Sequence, residues 1–222
     1  MLLESIAAVA LAGTPVADQY FEASRAVQHQ RLALARLPEK KALPAARKLL
    51  LETFDTQFFP AWEGTPWEFY GTSETPREGT IACGYYVSVL LRDAGFRIER
   101  AQLAQQASEH IVKTFADEKD IQRFRDADLA ELVAAVRQKH GEGLFIVGMD
   151  YHVGLLRLTR GKAQLCHSAV LEPKHATCQD AVTSPGMVSR YHVVGPALSD
   201  ARVRDWLKGT DVPTALPKRA GR

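Results

Sequence analysis

Residues 80–96 read Thr-Ile-Ala-Cys-Gly-Tyr-Tyr-Val-Ser-Val-Leu-Leu-Arg-Asp-Ala-Gly-Phe, and what this stretch packs against decides the fold. Cys83, Val87, Leu90 and Ala94 fall on one apolar stripe at helical spacing, so the cysteine opens an amphipathic helix and faces the rest of the protein. A thiol in the first helical turn lies at the positive end of the helix dipole, which favours thiolate over thiol. The competing reading is plain packing, because free cysteine is among the most buried residue types.

The partner stretches lie downstream. Residues 143–160 read Gly-Leu-Phe-Ile-Val-Gly-Met-Asp-Tyr-His-Val-Gly-Leu-Leu-Arg-Leu-Thr-Arg, followed by Gly-Lys-Ala-Gln-Leu-Cys-His-Ser-Ala-Val at 161–170. Both have the apolar, β-branched character of strands, and Thr159, Arg160 and Gly161 form a hairpin signal. With Thr159 and Arg160 as the loop, His152 lies opposite His167. With Arg160 and Gly161 as the loop, the two are diagonal neighbours on the same face. A three-residue loop breaks that parity.

A thiol, a first histidine and a second polar residue on the next strand have the makings of a nucleophile, a base and an orienter. In this order the residues resemble the NlpC/P60 branch of the papain-like cysteine peptidases. Tyr70-Gly71-Thr72 stands for that family's Tyr-Gly-Gly element, Cys83 for its helix-opening cysteine, His152-Val153-Gly154 for its His-Val-Gly strand, and His167-Ser168 for the pair one strand later. The resemblance spans residues 62–170. It departs from the family at Ala82, where Asp is usual, and at Gly84-Tyr85, where Ser-Gly is usual.

The resemblance implies an α+β fold of papain-like NlpC/P60 type, with N-terminal helices and the cysteine helix packed on an antiparallel sheet. It implies a thiol hydrolase of peptide or isopeptide amides, with bacterial wall peptides as the favoured substrate. Cys83 is then the nucleophile, His152 the base and His167 the orienter, and Tyr70 helps hold the developing oxyanion beside the Cys83 N–H. Trp67 is a further candidate for the cleft wall. Asp150 is the alternative third member, since a carboxylate two residues before the base can orient an imidazole. Gly148, however, signals a bend that turns it toward the inter-strand connection. A Cys-His-Asp set points to an acyltransferase or a transglutaminase-like enzyme, and a silent binding domain of the same fold is the remaining alternative.

Composition narrows the classes further. The 222 residues are 46% hydrophobic and 24% charged, which suits one catalytic domain at 61–210 with a helical extension at 1–60 and a disordered tail at 211–222. A formal net charge of +2 without a basic run among aromatics argues against nucleic acid as partner. No apolar run is long enough to cross a bilayer. Residues 1–17 carry a short apolar run followed by alanines, as a secretory signal does, but also Glu4 and no Lys or Arg. Export and a buried helix both remain open. Cys166 and Cys178 are either paired or separately buried.

Helices are expected at 18–37, from Pro44 to about 54–57, at 101–115, 119–125, 128–140 and 200–208, and a returning strand at 189–194. Phe58, Phe59 and Trp62 read as core, and residues 171–187 as a surface connection that includes His175. His110 and His140 read as solvated and His192 as structural. Neither metal nor other cofactor is expected, because no His/Cys spacing suits a closed metal cage.

Overall fold

A computed structural model describes residues 15–217. The expected α+β class holds: six antiparallel strands form one sheet in the order β1-β6-β2-β3-β4-β5. These are β1 (Gln122–Arg125), β2 (Gly143–Met149), β3 (Val153–Thr159), β4 (Lys162–Ser168), β5 (Ala176–Asp180) and β6 (Tyr191–Pro196). Every residue of β2 is buried, because helices and loops cover both faces of the central strands. That is why β2 reads as a continuous apolar run rather than an alternating one.

On one face, Leu144, Ile146, Val153, Leu155 and Val193 join the main core. The cysteine helix, α4 (Cys83–Asp93), packs there, and its Val87, Leu90 and the following Ala94 are fully buried as the stripe predicts. On the other face, Phe145, Val147, Leu156 and Leu165 pack with Leu132, Val133 and Val136 of α7 (Leu129–His140). Asp128 caps α7 by accepting from the N–H groups of Ala130 and Glu131.

The N-terminal helices belong to the same core. Tyr20 and Ser24 of α1 (Val16–Leu34) donate to the Asp93 carboxylate and carbonyl, each at 2.7 Å, tying α1 to the end of α4. In α2 (Glu39–Thr53), Ala46 and Leu50 are fully buried, and the chain continues through a wide turn at Phe54–Phe58 into α3 (Phe59–Trp62). Phe54, Phe58, Phe59 and Trp62 are all buried, as core aromatics should be.

Several boundaries differ from the sequence expectations. Residues 122–125 are strand rather than helix, because pairing with β6 overrides the weak local preference of a polar tetrapeptide. The stretch expected as one helix at 101–115 is two, α5 (Arg100–Ala104) and α6 (Ser108–Phe115). The second helix starts at Glu39, so Pro44 sits inside it. The connection at 171–187 contains β5, held by pairing with β4. His110 and His140 are half-buried, and the His140 ring lies tilted against Phe145 at 5.6 Å between ring centres. Beyond α8 (Asp200–Lys208) and its Gly209 cap, the chain does not become a free tail. Val212 is buried, and its N–H bonds the Arg97 carbonyl at 2.8 Å. Residues 1–14, most of the signal-like stretch, and 218–222 of the expected tail lie outside the described residues. Among the described residues no helix is long and apolar enough to cross a membrane.

Candidate active site

The β3–β4 hairpin sets the site. Thr159 pairs with Lys162, leaving Arg160 and Gly161 as the loop, with Gly161 at φ 78° as a tight turn demands. Of the two registers the sequence allows, this is the diagonal one. His152 precedes β3 by one residue, and its Nε2 lies 2.6 Å from Nδ1 of His167. Both rings are buried.

The relay continues past His167. Its Nε2 lies 3.3 Å from Gln179 Oε1 on β5, and Ser184 Oγ donates to the same oxygen at 2.7 Å. An amide oxygen only accepts, so His167 carries its hydrogen on Nε2 and leaves Nδ1 as acceptor. His152 must then donate from Nε2, which leaves its Nδ1 bare. That Nδ1 is buried and, among the described residues, has no hydrogen-bond partner, Cys83 Sγ included, so it carries no hydrogen and is open to accept one once the thiol turns toward it.

Burial, with His167 as a close second positive centre, lowers the His152 pKa to about 3. Burial also lowers that of His167 to about 4, against a weaker opposing pull from Gln179. Both imidazoles are therefore neutral at pH 7.

Cys83 approaches from the other side. Ser168 Oγ donates to the Ile81 carbonyl at 2.7 Å, fastening β4 to the residues that lead into α4. Gly84 lets the helix start close to its neighbour, since a Cβ there would sit 2.2 Å from the Ala104 carbonyl oxygen. Cys83 is half-buried and is the free cysteine. Burial raises its pKa, and the backbone N–H groups of Val153, Gly84 and Cys83 itself offset part of that rise. The resting group is thus a thiol rather than the thiolate expected from helix position, because desolvation outweighs the donors around the sulfur.

Cys83 and His152 line one cavity of about 660 Å³, together with Trp67 and Tyr70, so the candidate wall and oxyanion residues share it. Tyr70 is 83% exposed, which sets aside a packing role. Asp150 does not join the relay. It forms the β2–β3 turn with Tyr151, and its carboxylate accepts from Ser189 Oγ at 2.7 Å and from the N–H groups of Arg190 and Tyr191. These bonds, the Ser189 hydroxyl first, hold its pKa below the ordinary aspartate value. His192 is buried with Nε2 2.8 Å from the Met187 carbonyl, a structural role as expected.

Gln179 and Ser184 were not visible as site residues in the sequence, since nothing local marks an amide on an unrecognised edge strand. Cys166 and Cys178 are directly opposed on β4 and β5 and form a disulfide. Each neighbours a relay residue, His167 and Gln179, so the bridge braces the strands that carry the relay. Gly186 packs on the His167 ring. A Cβ there would lie 2.4 Å from its Cε1, so Gly186→Ala must displace the imidazole. We expect about a tenfold loss in kcat with little change in KM, a misplaced-group effect. An unchanged kcat would show that the ring position is not critical.

No family model, curated protein or solved structure matches this chain. Among the described residues no His/Cys/Asp/Glu group is arranged to hold a metal ion.

Proposed function

We propose that this protein is a cysteine hydrolase of papain-like NlpC/P60 type that cleaves a carboxylic amide through Cys83, His152 and His167. The observation that carries the reading is that Cys83 and His152 line one cavity, with His152 Nδ1 left as the proton-accepting nitrogen by the His167–Gln179 relay. In this mechanism Cys83 attacks the carbonyl carbon as its proton passes to His152 Nδ1. The resulting imidazolium donates through Nε2 to His167 and then protonates the leaving amine. The first-turn N–H of Cys83 and the Tyr70 hydroxyl stabilise the oxyanion. Peptide amides, wall peptides among them, are the first substrates to screen. The Cys166–Cys178 disulfide supports an oxidising, extracytoplasmic setting.

The pH dependence tests this reading. Neutral His152 is the active form, and its pKa lies well below that of a solvated histidine. Activity should therefore hold from pH 7 to pH 5 and fall only as the pH approaches about 4. Stability follows the same sign. A histidine whose folded pKa is depressed stabilises the fold fully above its unfolded value near 6.5, and that contribution is lost as pH falls toward the folded value. A kcat/KM profile with its acid limb at about 6.5, in protein shown to be folded, would contradict the buried neutral base.

A further inference from the structure

We propose that the acyl group which Cys83 accepts is neutral and apolar: an aliphatic or aromatic acyl chain rather than one bearing a carboxylate. This rests on Cys83 as nucleophile and adds the chemistry of the substrate. The cavity of about 660 Å³ that holds Cys83 is walled by Trp67, Phe69, Tyr70, Tyr85, Ala104 and Val170, and among the described residues no Asp, Glu, Lys or Arg lines it. Its volume is that of a small-molecule site.

Arg100, the cation that packs on Tyr85 of the cavity wall, is already engaged. It lies over the Tyr85 ring at 4.8 Å, donates to the carbonyls of Thr72 and Ser73 at 2.9 and 2.8 Å, and faces Glu74 at 3.5 Å. A carboxylate on the acyl group would enter the cavity without a counter-charge and lose its hydration. The cavity mouth points the same way. Phe69 is 70% exposed and meets Tyr70 edge-on at 5.0 Å, and Tyr151 is 99% exposed, so large apolar surfaces stand in water where a ligand would cover them.

A second cavity of about 530 Å³ shares Tyr151, His152 and Val170 with the first but includes Asp150, Ser189 and Arg190. Both cavities are largely apolar, but charged side chains appear only on the second side of His152. Since Cys83 belongs to the first cavity alone, the acyl half occupies the uncharged side and the leaving group the side that carries Asp150 and Arg190. Sγ bonds to the carbonyl carbon as its proton moves to His152 Nδ1. The carbonyl–heteroatom bond then breaks, and His152 returns the proton to the departing amine or alcohol. Water finally cleaves the thioester, releasing a carboxylic acid and the free thiol.

Two measurements on the intact 222-residue chain test this. The first is kcat/KM on p-nitrophenyl esters of acetyl, hexanoyl, octanoyl, N-acetylphenylalanyl and the anionic hexanedioyl group. Each methylene taken out of water is worth about fourfold, so octanoyl should exceed acetyl by at least about 100-fold, and hexanedioyl should fall at least about tenfold below hexanoyl. Octanoyl above N-acetylphenylalanyl identifies a lipid-like acyl source, and the reverse order a peptide with an apolar residue at that position. Equal rates for acetyl and octanoyl, or a preference for hexanedioyl, overturn the inference.

The second measurement is binding of octanamide, acetamide and hexanedioic acid monoamide to Cys83→Ala, followed by emission of Trp67. Trp62 and Trp206 are buried, at 0% and 1% exposure, and do not line the cavity, so their emission is a constant background. Saturable binding of octanamide alone supports the inference. Octanamide binding with no acylation of Cys83 in the unsubstituted protein sinks the catalytic reading while upholding the cavity's preference. Acylation without any preference among the amides sinks this inference alone.

Discussion

His152→Ala lowers kcat by about 10³-fold or more, and Cys83→Ala removes turnover altogether, on any amide or activated ester the protein cleaves. The scale is that of a lost general base and a lost nucleophile acting as one unit. The double variant should therefore be no worse than Cys83→Ala. Both side chains reach the cavity from elements anchored elsewhere, α4 through its buried stripe and His152 through the β2–β3 turn. Thermal unfolding should consequently change little in Cys83→Ala. A Cys83→Ala protein that retained turnover would remove the thiol from the chemistry.

The second large effect separates the two candidate orienters. His167→Ala should lower kcat by about 10²-fold, because His152 keeps its place but loses the acceptor that fixes its hydrogen on Nε2. Gln179→Ala should cost less, about fivefold to tenfold, since it acts on His152 only through His167. Asp150→Ala should change kcat by less than about threefold, as its carboxylate serves the start of β6 rather than the imidazole. A reversed ranking, with Asp150→Ala inactive and His167→Ala near wild type, would replace the Cys-His-His arrangement with Cys-His-Asp. Circular dichroism of each variant separates loss of chemistry from loss of fold.

The parts legible in the sequence were those with a strong local period or a turn that admits few geometries. The α4 stripe and the hairpin signal at Thr159–Gly161 are of this kind, and either two-residue loop the signal allows puts His152 and His167 on one face. Gly148 likewise hinted that Asp150 belongs to a turn. What stayed hidden depends on distant partners. Gln122–Arg125 becomes a strand because β6 arrives beside it. Ala176–Asp180 becomes one because β4 offers an edge, and with it come Gln179 and the disulfide. The protonation state of Cys83 is not legible in the sequence for a related reason. The helix dipole can be read from position, whereas the burial that opposes it is set by the whole fold. Polarity of the cleft is also a tertiary property: Trp67, Tyr85, Ala104 and Val170 are far apart in the chain and meet only around Cys83.

The most direct test of Cys83 as a nucleophile served by His152 is mass spectrometry of the intact protein, quenched in acid within the first turnover of p-nitrophenyl octanoate at pH 7 and then mapped by proteolysis. The account predicts one octanoyl group on Cys83 in the unsubstituted protein and at least a hundredfold slower acylation in His152→Ala, a loss on the scale of general-base catalysis. Acylation of Cys83 at equal rates in both proteins, or an acyl group carried by another residue while Cys83 stays free, would contradict it.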